Sequence, residues 1–569
     1  MDQKNLFLAI LISVVILVGS EYLFGAFGPK PPPPTAKPTH TAQTAKPAPA
    51  PTGGAPGALP SAQQSRSRAE ALAAQARVKI DTPHLQGSID LTGGVIDDLS
   101  LVDYHDTVNP KSPDVVLLEP VGTKDAYFAE FGWVAGAGEA KPKLPGPHTV
   151  WQASPGPLTP THPVTLTWDN GAGLVFTRTI AIDQNYMFSL TDSVKNTGSA
   201  AVTLLPYALI SRSGTPPVSG YYLLFEGPIG FLDGGLQEIK YASLAPTKST
   251  DFKSTGGWLG FTDKYWLTAL IPPQHEAIKA EFRKEVEGGI DRYQSDYLGA
   301  AVTVPAGGTA ANSNRLFAGA KEVNLLDAYA DSGIPRFDRA IDFGWFYFLT
   351  KPIFLVLVFF HRLLGNFGLA ILLFTFIVKL LFFPLANKSY RAMSKMKLLQ
   401  PEMQKLRERY PDDKAKQQQE IMALYKRVGA NPLAGCLPIV IQIPVFFSLY
   451  KVLFVTIEMR HAPFFGWIHD LSAPDPTSFA NLFGVIPWVP PHFLMIGAWP
   501  LIMGLSMFLQ QKLNPQPVDP VQAKMFLALP IVFTYMLSSF PAGLVIYWAW
   551  NNSLSIAQQW VIMHRAGAA

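Results

Sequence analysis

The chain of 569 residues has one cysteine, Cys436. That scarcity removes intramolecular disulfides, CxxC redox chemistry and cysteine-based zinc sites in one step. Charge is scarce too: 15% of residues are Asp, Glu, Lys or Arg, against ~25% in ordinary soluble domains. The motifs GxxxxGKS/T, HExxH and GxSxG are absent, so nothing points to an ATPase, a zinc protease or a nucleophile-elbow hydrolase. His275-Glu276 lacks a second histidine. No catalytic residue, metal site or cofactor is expected, and a net charge of +4 is too small to argue for nucleic acid. What is present is apolar: 48% hydrophobic residues, a mean hydropathy of +0.16, 37 Phe and 12 Trp. Such a balance suits lipid contact, and part of the chain is expected in a membrane.

Residues 6–20 carry no charge, and the stretch extends through Glu21 to Phe27, which gives a span near the ~20 residues a bilayer needs. A cleaved signal peptide and a retained anchor both fit. No clear small-x-small cleavage site closes the segment, so residues 1–27 are taken as an anchor. Residues 28–77 form a Pro/Ala-rich tether, eleven of residues 28–60 being Pro, and such a segment buries too little apolar surface to fold. Residues 78–334 change character. Segments 174–182 and 186–196 alternate at period two, with Tyr186, Phe188, Leu190 and Val194 on one face and Asp169-Asn170-Gly171 and Asp183-Gln184-Asn185 as turns. The pattern predicts one large β-sandwich. Its His84, His105, His148 and His162 read as surface or structural histidines ahead of a sugar site.

Beyond Pro335 charge thins again, and spans are expected at 352–385, 430–457, 486–511, 525–539 and 543–563. The last two share an uncharged run of 39 residues, about 58 Å as one helix and too long for a ~30 Å hydrocarbon core. Ser538-Ser539-Phe540-Pro541-Ala542-Gly543 supplies the turn. With the anchor this makes six spans. The segment 386–429 contains a stretch, 387–427, with eleven basic against five acidic residues. It is therefore placed in the cytoplasm, as are the loop 512–524 and the short tail 564–569. The loop 458–485, poor in basic residues, and the β-domain fall outside. Both termini are then inside.

Within this frame, residues 335–351 mix Arg336, Asp338, Arg339 and Asp342 with Trp345, Phe346, Tyr347 and Phe348, the mixture of an amphipathic helix lying in the interface; a plain linker helix is the alternative. Gly365-Asn366-Phe367-Gly368 allows a bend between 352–364 and the span proper. Tyr390, Met393, Met396, Leu399, Met403, Leu406 and Tyr410 recur every three or four residues before Pro411-Asp412 breaks the helix. Ile421, Leu424, Tyr425 and Val428 follow. This is a helical hairpin with a thin apolar seam and basic faces. It is either a solvated structural element or a grip for an anionic partner, with Met393, Met396, Met403 and Met422 as adaptable contacts and Lys405, Arg407 and Arg409 as charge. Lys379 is ionisable within a span, hence a functional candidate. Lying five residues before Pro384, it could equally snorkel to headgroups, and spacing leaves these two readings tied. Gln442, Asn551, Asn552, Ser448 and Lys451 suggest a wet recess on the cytoplasmic side.

Six motifs in order make the chain recognisable. They are Asp342-Phe343-Gly344-Trp345; Gly365-Asn366-Phe367-Gly368; Phe376-Ile377-Val378-Lys379; Met396-Lys397-Leu398-Leu399-Gln400-Pro401; Asn431-Pro432-Leu433-Ala434-Gly435-Cys436-Leu437-Pro438 with Gln442-Ile443-Pro444; and Phe540-Pro541-Ala542-Gly543-Leu544. Over about residues 335–564 the chain resembles the YidC/Oxa family of membrane protein insertases, and its anchor, tether and β-domain resemble the Gram-negative form. The resemblance implies six transmembrane helices with a five-helix core, a periplasmic β-supersandwich, and an inner-membrane insertase and chaperone. Such a protein works alone or beside the Sec translocon, through a groove open to cytoplasm and lipid. Its partners would be nascent inner-membrane proteins, the Sec translocon, the ribosome and the bilayer. Lys379 matches the groove cation, where the family usually has Arg; the charge is kept and the bidentate fork is lost. Gln442 matches a groove glutamine, and Tyr547 or Trp548 the client-contacting face of the last span. The short tail argues against tail-mediated ribosome docking.

Two other classes remain. A secondary transporter would carry inverted repeats, and no second copy of the Lys379 region is found. A membrane-tethered carbohydrate enzyme would leave the cytoplasmic hairpin without a purpose.

Overall fold

The computed structural model describes residues 66–136, 142–218, 224–246, 249–411, 413–429, 437–513 and 520–565. The anchor at 1–27, most of the tether, and residues 431–436 of the Asn431 motif lie outside the described residues.

After a six-residue helix α1 (Arg68–Ala73), strands run from Arg77 to Ala320 in two antiparallel sheets, one of ten strands and one of nine. The strand Leu174–Ile182 alternates buried and half-buried along its whole length, and Met187–Asn196 pairs with it. Tyr186, Phe188, Leu190 and Val194 are all buried. Period-two patterning thus places one face of each strand in the core, at ~25 cal/mol per Å² of apolar area removed from water. One charge interrupts that core. Arg178 is 1% exposed. It donates to Asp192 Oδ1 on the neighbouring strand (2.6 Å), to Gly94 O (3.0 Å) and, across to the other sheet, to Phe131 O (2.6 Å). Paired and fully bonded, it bolts the two sheets together.

The helical region follows: α2 (Val323–Asp331), α3 (Tyr347–Leu364), α4 (Phe367–Leu381), α5 (Phe383–Arg409), α6 (Lys414–Val428), α7 (Leu437–Val455), α8 (Ala498–Leu513), α9 (Pro520–Leu537) and α10 (Ala542–Arg565). α10 is central, packing on α4, α5, α7 and α8. By length and composition α3 can cross a membrane, and α4 with the start of α5 qualifies as a bent pair at 66°. The run 525–563 holds the end of α9, a turn at 538–541 and most of α10.

Three expected segments differ from the helices observed; the one expected at 486–511 is α-helical only from Ala498, and residues 486–497 belong to the connection before it. Residues 335–351 do not form one helix, because Arg336 and Gly344 take left-handed φ of +54° and +72° and only a 3-10 turn, Phe337–Ala340, lies between them. Residues 352–385 divide at the Gly365 motif, where the sequence allows a bend. α3 starts at Tyr347 and stops at Gly365, whose φ of +68° suits a helix C-cap. Asn366 then caps α4 by accepting from Leu369 N at 3.1 Å. The aromatic segment is therefore split: Trp345 and Phe346 precede α3 and are exposed, while Tyr347 begins it, donates to Asp338 Oδ2 at 2.5 Å and lies under Arg339.

The β-domain is docked on the bundle. Lys451 of α7 pairs with Asp342 at 2.7 Å, and Glu458, just past α7, accepts from the first amide of α2, Val323 N, at 3.1 Å. Arg460 donates to His105 O at 2.6 Å and stacks over Trp266.

Candidate functional site

Lys379 on α4, Gln442 on α7 and Tyr547, Asn551 and Ser555 on α10 meet along one seam. The last three sit at i, i+4 and i+8, so helical periodicity stacks them on one face. Lys379 Nζ donates to Ser555 Oγ at 2.7 Å, and Ser555 donates to Asn551 O at 2.8 Å. Gln442 Nε2 donates to the Tyr547 hydroxyl. Asn551 Oδ1 is buried and, among the described residues, has no hydrogen-bond partner. Trp550 Nε1 reaches Leu372 O at 3.2 Å, which ties α10 to α4.

Lys379 is half-buried, and among the described residues it pairs with no carboxylate. An ammonium has three donors and no acceptor; Ser555 uses one. Phe376, Ile377, Leu380 and Leu381 on the same helix are exposed. The cation thus stands where a polar seam meets an apolar outer surface. Its hydrogen bond to Ser555 turns it towards α10.

Tyr547 and Trp548 separate in role. Tyr547 is buried with its hydroxyl on Gln442, whereas Trp548 packs edge-on against Phe446 and stacks with Phe533. Three residues assigned to the recess lie elsewhere. Lys451 belongs to the docking interface through Asp342, Ser448 is buried on α7, and Asn552 donates to Ser506 Oγ on α8 at 3.1 Å. Ser555, the partner of Lys379, had no place in the reading from sequence. Its spacing of eight from Tyr547 was the available signal.

The hairpin of α5 and α6 closes over Leu399, Met403 and Leu424, flanked by Met396, Leu406, Ile421 and Tyr425. Met403 is buried, with the Tyr425 hydroxyl on its sulfur at 3.3 Å. It is a seam residue and not a free contact, and Met396 is partly committed in the same way. Lys405 and Arg409 are exposed, and Arg407 is half-buried. Tyr390 and Met393 leave the seam to pack with Ile562 of α10.

A large antiparallel β-domain docked on a bundle of apolar helices, with one cation in a polar seam, defines a membrane-embedded protein with a large extramembrane domain. Comparison with known proteins narrows the class. Residues 77–356 match the family model "YidC periplasmic domain" and residues 359–568 match "60Kd inner membrane protein". The membrane protein insertase YidC of Bradyrhizobium diazoefficiens is 53% identical over 100% of this chain and 97% of its own length. That of Granulibacter bethesdensis is 53% identical over 99% and 98%. A crystal structure of an active YidC insertase is 18% identical, covers 85% of this chain and 92% of its own, and superposes with a TM-score of 0.36. The chain belongs to the YidC family of membrane protein insertases.

Proposed function

We propose that this protein inserts inner-membrane proteins and assists their folding, alone or beside the Sec translocon, with no catalytic chemistry. The seam of α4, α7 and α10 acts as a hydrophilic groove open to cytoplasm and lipid. Both termini lie in the cytoplasm, the β-domain in the periplasm, and the anchor plus five further helices span the bilayer. The observation that carries the reading is Lys379: a half-buried cation whose partner is a neutral hydroxyl and not a carboxylate.

The mechanism follows from partition. A client must carry polar residues across an apolar slab, at ~2.5 to 3.5 kcal/mol per charge on insertion scales. A groove reaching part of the way shortens that slab. The Lys379 amine holds the client's polar or acidic segment, Gln442 and Tyr547 offer hydrogen bonds, and Trp548 with Phe446 and Phe533 presents an apolar wall. The client's apolar helix then leaves into lipid, driven by ~0.8 kcal/mol per buried CH₂. The exposed Lys405 and Arg409 of the hairpin receive the ribosome or the emerging chain. The test is complementation. In cells depleted of their own insertase, this chain should restore protease protection of a client's translocated tail, and failure at normal membrane levels would refute the proposal.

A further inference from the structure

The connection between α7 and α8 has two halves. The first is anchored on the β-domain by Glu458 and Arg460, and on the start of α10, where Ala542 N donates to Ala473 O (2.7 Å) and Gly543 N to Leu471 O (2.9 Å). Asp475 closes it, accepting from Trp467 Nε1 at 3.1 Å and from Trp499 N at 2.9 Å. The second half, residues 476–497, contains no Asp, Glu, Lys or Arg.

Polar groups of that second half turn inward. Phe483 N donates to Ser478 O (2.7 Å), Phe479 N to Ile496 O (3.0 Å), Ser478 Oγ to Leu494 O (2.8 Å), and Asn481 Nδ2 to Trp488 O (3.2 Å). Pro487, Pro490 and Pro491 have no amide to satisfy. The apolar side chains turn outward. Val485 and Val489 are 79% and 84% exposed, and Leu482, Phe483, Trp488 and Phe493 are exposed as well. Leu482 and Phe483 hold left-handed φ of +51° and +57°, a costly backbone for bulky residues. The loop is thus folded, internally bonded and apolar outside, the reverse of a loop made for water.

We propose that residues 479–493 form a wedge seated among the headgroups and upper acyl chains of the leaflet on the β-domain side. The exposed Leu501, Ile502 and Leu505 follow it in sequence on α8, which begins directly after the loop ends. An uncharged, proline-rich backbone that pairs many of its donors within the loop is suited to a medium poor in hydrogen-bonding partners. Trp488 is the amphipathic side chain favoured at that depth. A soluble protein partner would be expected to meet a rim of charge, and this loop has none.

The test uses the full chain in phosphatidylcholine/phosphatidylglycerol nanodiscs, on a Cys436→Ser background. Nitroxide labels go at Val485→Cys and Val489→Cys, with Leu505→Cys as the lipid reference and Val286→Cys on the β-domain as the water reference. Both loop labels should match Leu505, with collision by oxygen exceeding collision by a water-soluble nickel chelate. Labels that behave like Val286 would overturn the proposal. So would labels shielded from both reagents, which would mean that protein covers the loop.

Discussion

Replacing Lys379 by Ala is expected to slow insertion of clients with an acidic translocated segment and to spare those without one. A client carboxylate ~4 Å from the ammonium gains about 1 kcal/mol in bulk water and about 4 kcal/mol at an effective dielectric constant near 20. Lys379 is half-buried, against Ser555 on one side and exposed apolar residues on the other, so its contribution falls between those limits. That corresponds to a loss of between about fivefold and about a thousandfold. Lys379→Arg keeps the charge and should keep activity. Lys379→Glu should be worst, since repulsion replaces attraction. Ser555→Ala removes the hydroxyl that orients the amine and that also bonds Tyr390; the effect should be smaller than that of Lys379→Ala, and Ser555→Thr should restore it. The assay is protease protection of the translocated tail in an insertase-depleted strain, at matched membrane levels of each variant. Equal insertion of the acidic client by wild type, Lys379→Ala and Lys379→Glu would refute charge capture.

Reversing the hairpin charges with Lys405→Glu, Arg407→Glu and Arg409→Glu should weaken binding to ribosome-nascent-chain complexes and flatten its salt dependence; unchanged binding at low salt would restrict these charges to setting topology. Glu458 is half-buried beside Glu322, which in turn accepts from Tyr104 and Tyr186, and desolvation of its carboxyl lifts it from 4.5 to about 7. The docked state therefore favours the protonated acid. Its contribution is complete below pH 4.5 and is lost as pH rises to about 7, a difference of 7 − 4.5, or about 3 kcal/mol. Glu458→Gln should remove this part of the pH dependence of thermal unfolding, and identical slopes for the two proteins would count against it. Asp342→Asn breaks the ion pair with Lys451 and should lower stability by about 1.5 to 3 kcal/mol, measured by melting in detergent; an unchanged midpoint would show that the pair contributes nothing.

Periodicity made much of this architecture legible. Residues 174–182 and 186–196 declared themselves as strands because one face is buried, and the hairpin seam through Leu399, Met403 and Leu424 declared itself by its three-four spacing. Pattern does not report partners. Lys451 looked like one of the polar groups of the recess because composition carries no direction along a helix; its end of α7 meets Asp342. Met403 looked available because a stripe of methionines has the same spacing whether it faces solvent or α6. The division of 335–385 turned on left-handed residues, Arg336 among them, and nothing in an arginine announces positive φ. Ser555 escaped because a serine in an apolar helix commonly bonds its own backbone, which it also does here.

The helix that becomes the long arm of the hairpin begins one residue beyond Phe382, where α4 ends and the chain turns by 66°. Its first turns rest on α10 through Ala386 and Tyr390 against Ile562, and Tyr390 also hydrogen-bonds Ser555, the hydroxyl that holds Lys379. The contact at Tyr390 is a fulcrum. Beyond it the arm extends ~19 residues, or ~28 Å at helical rise, so a tilt of ~10° swings the tip by ~5 Å. That tilt bears on the same serine. Under the proposed function, a load taken up by the hairpin and the amine that meets a client's acidic segment share one pivot, so grip at the tip and hold in the seam should rise and fall together.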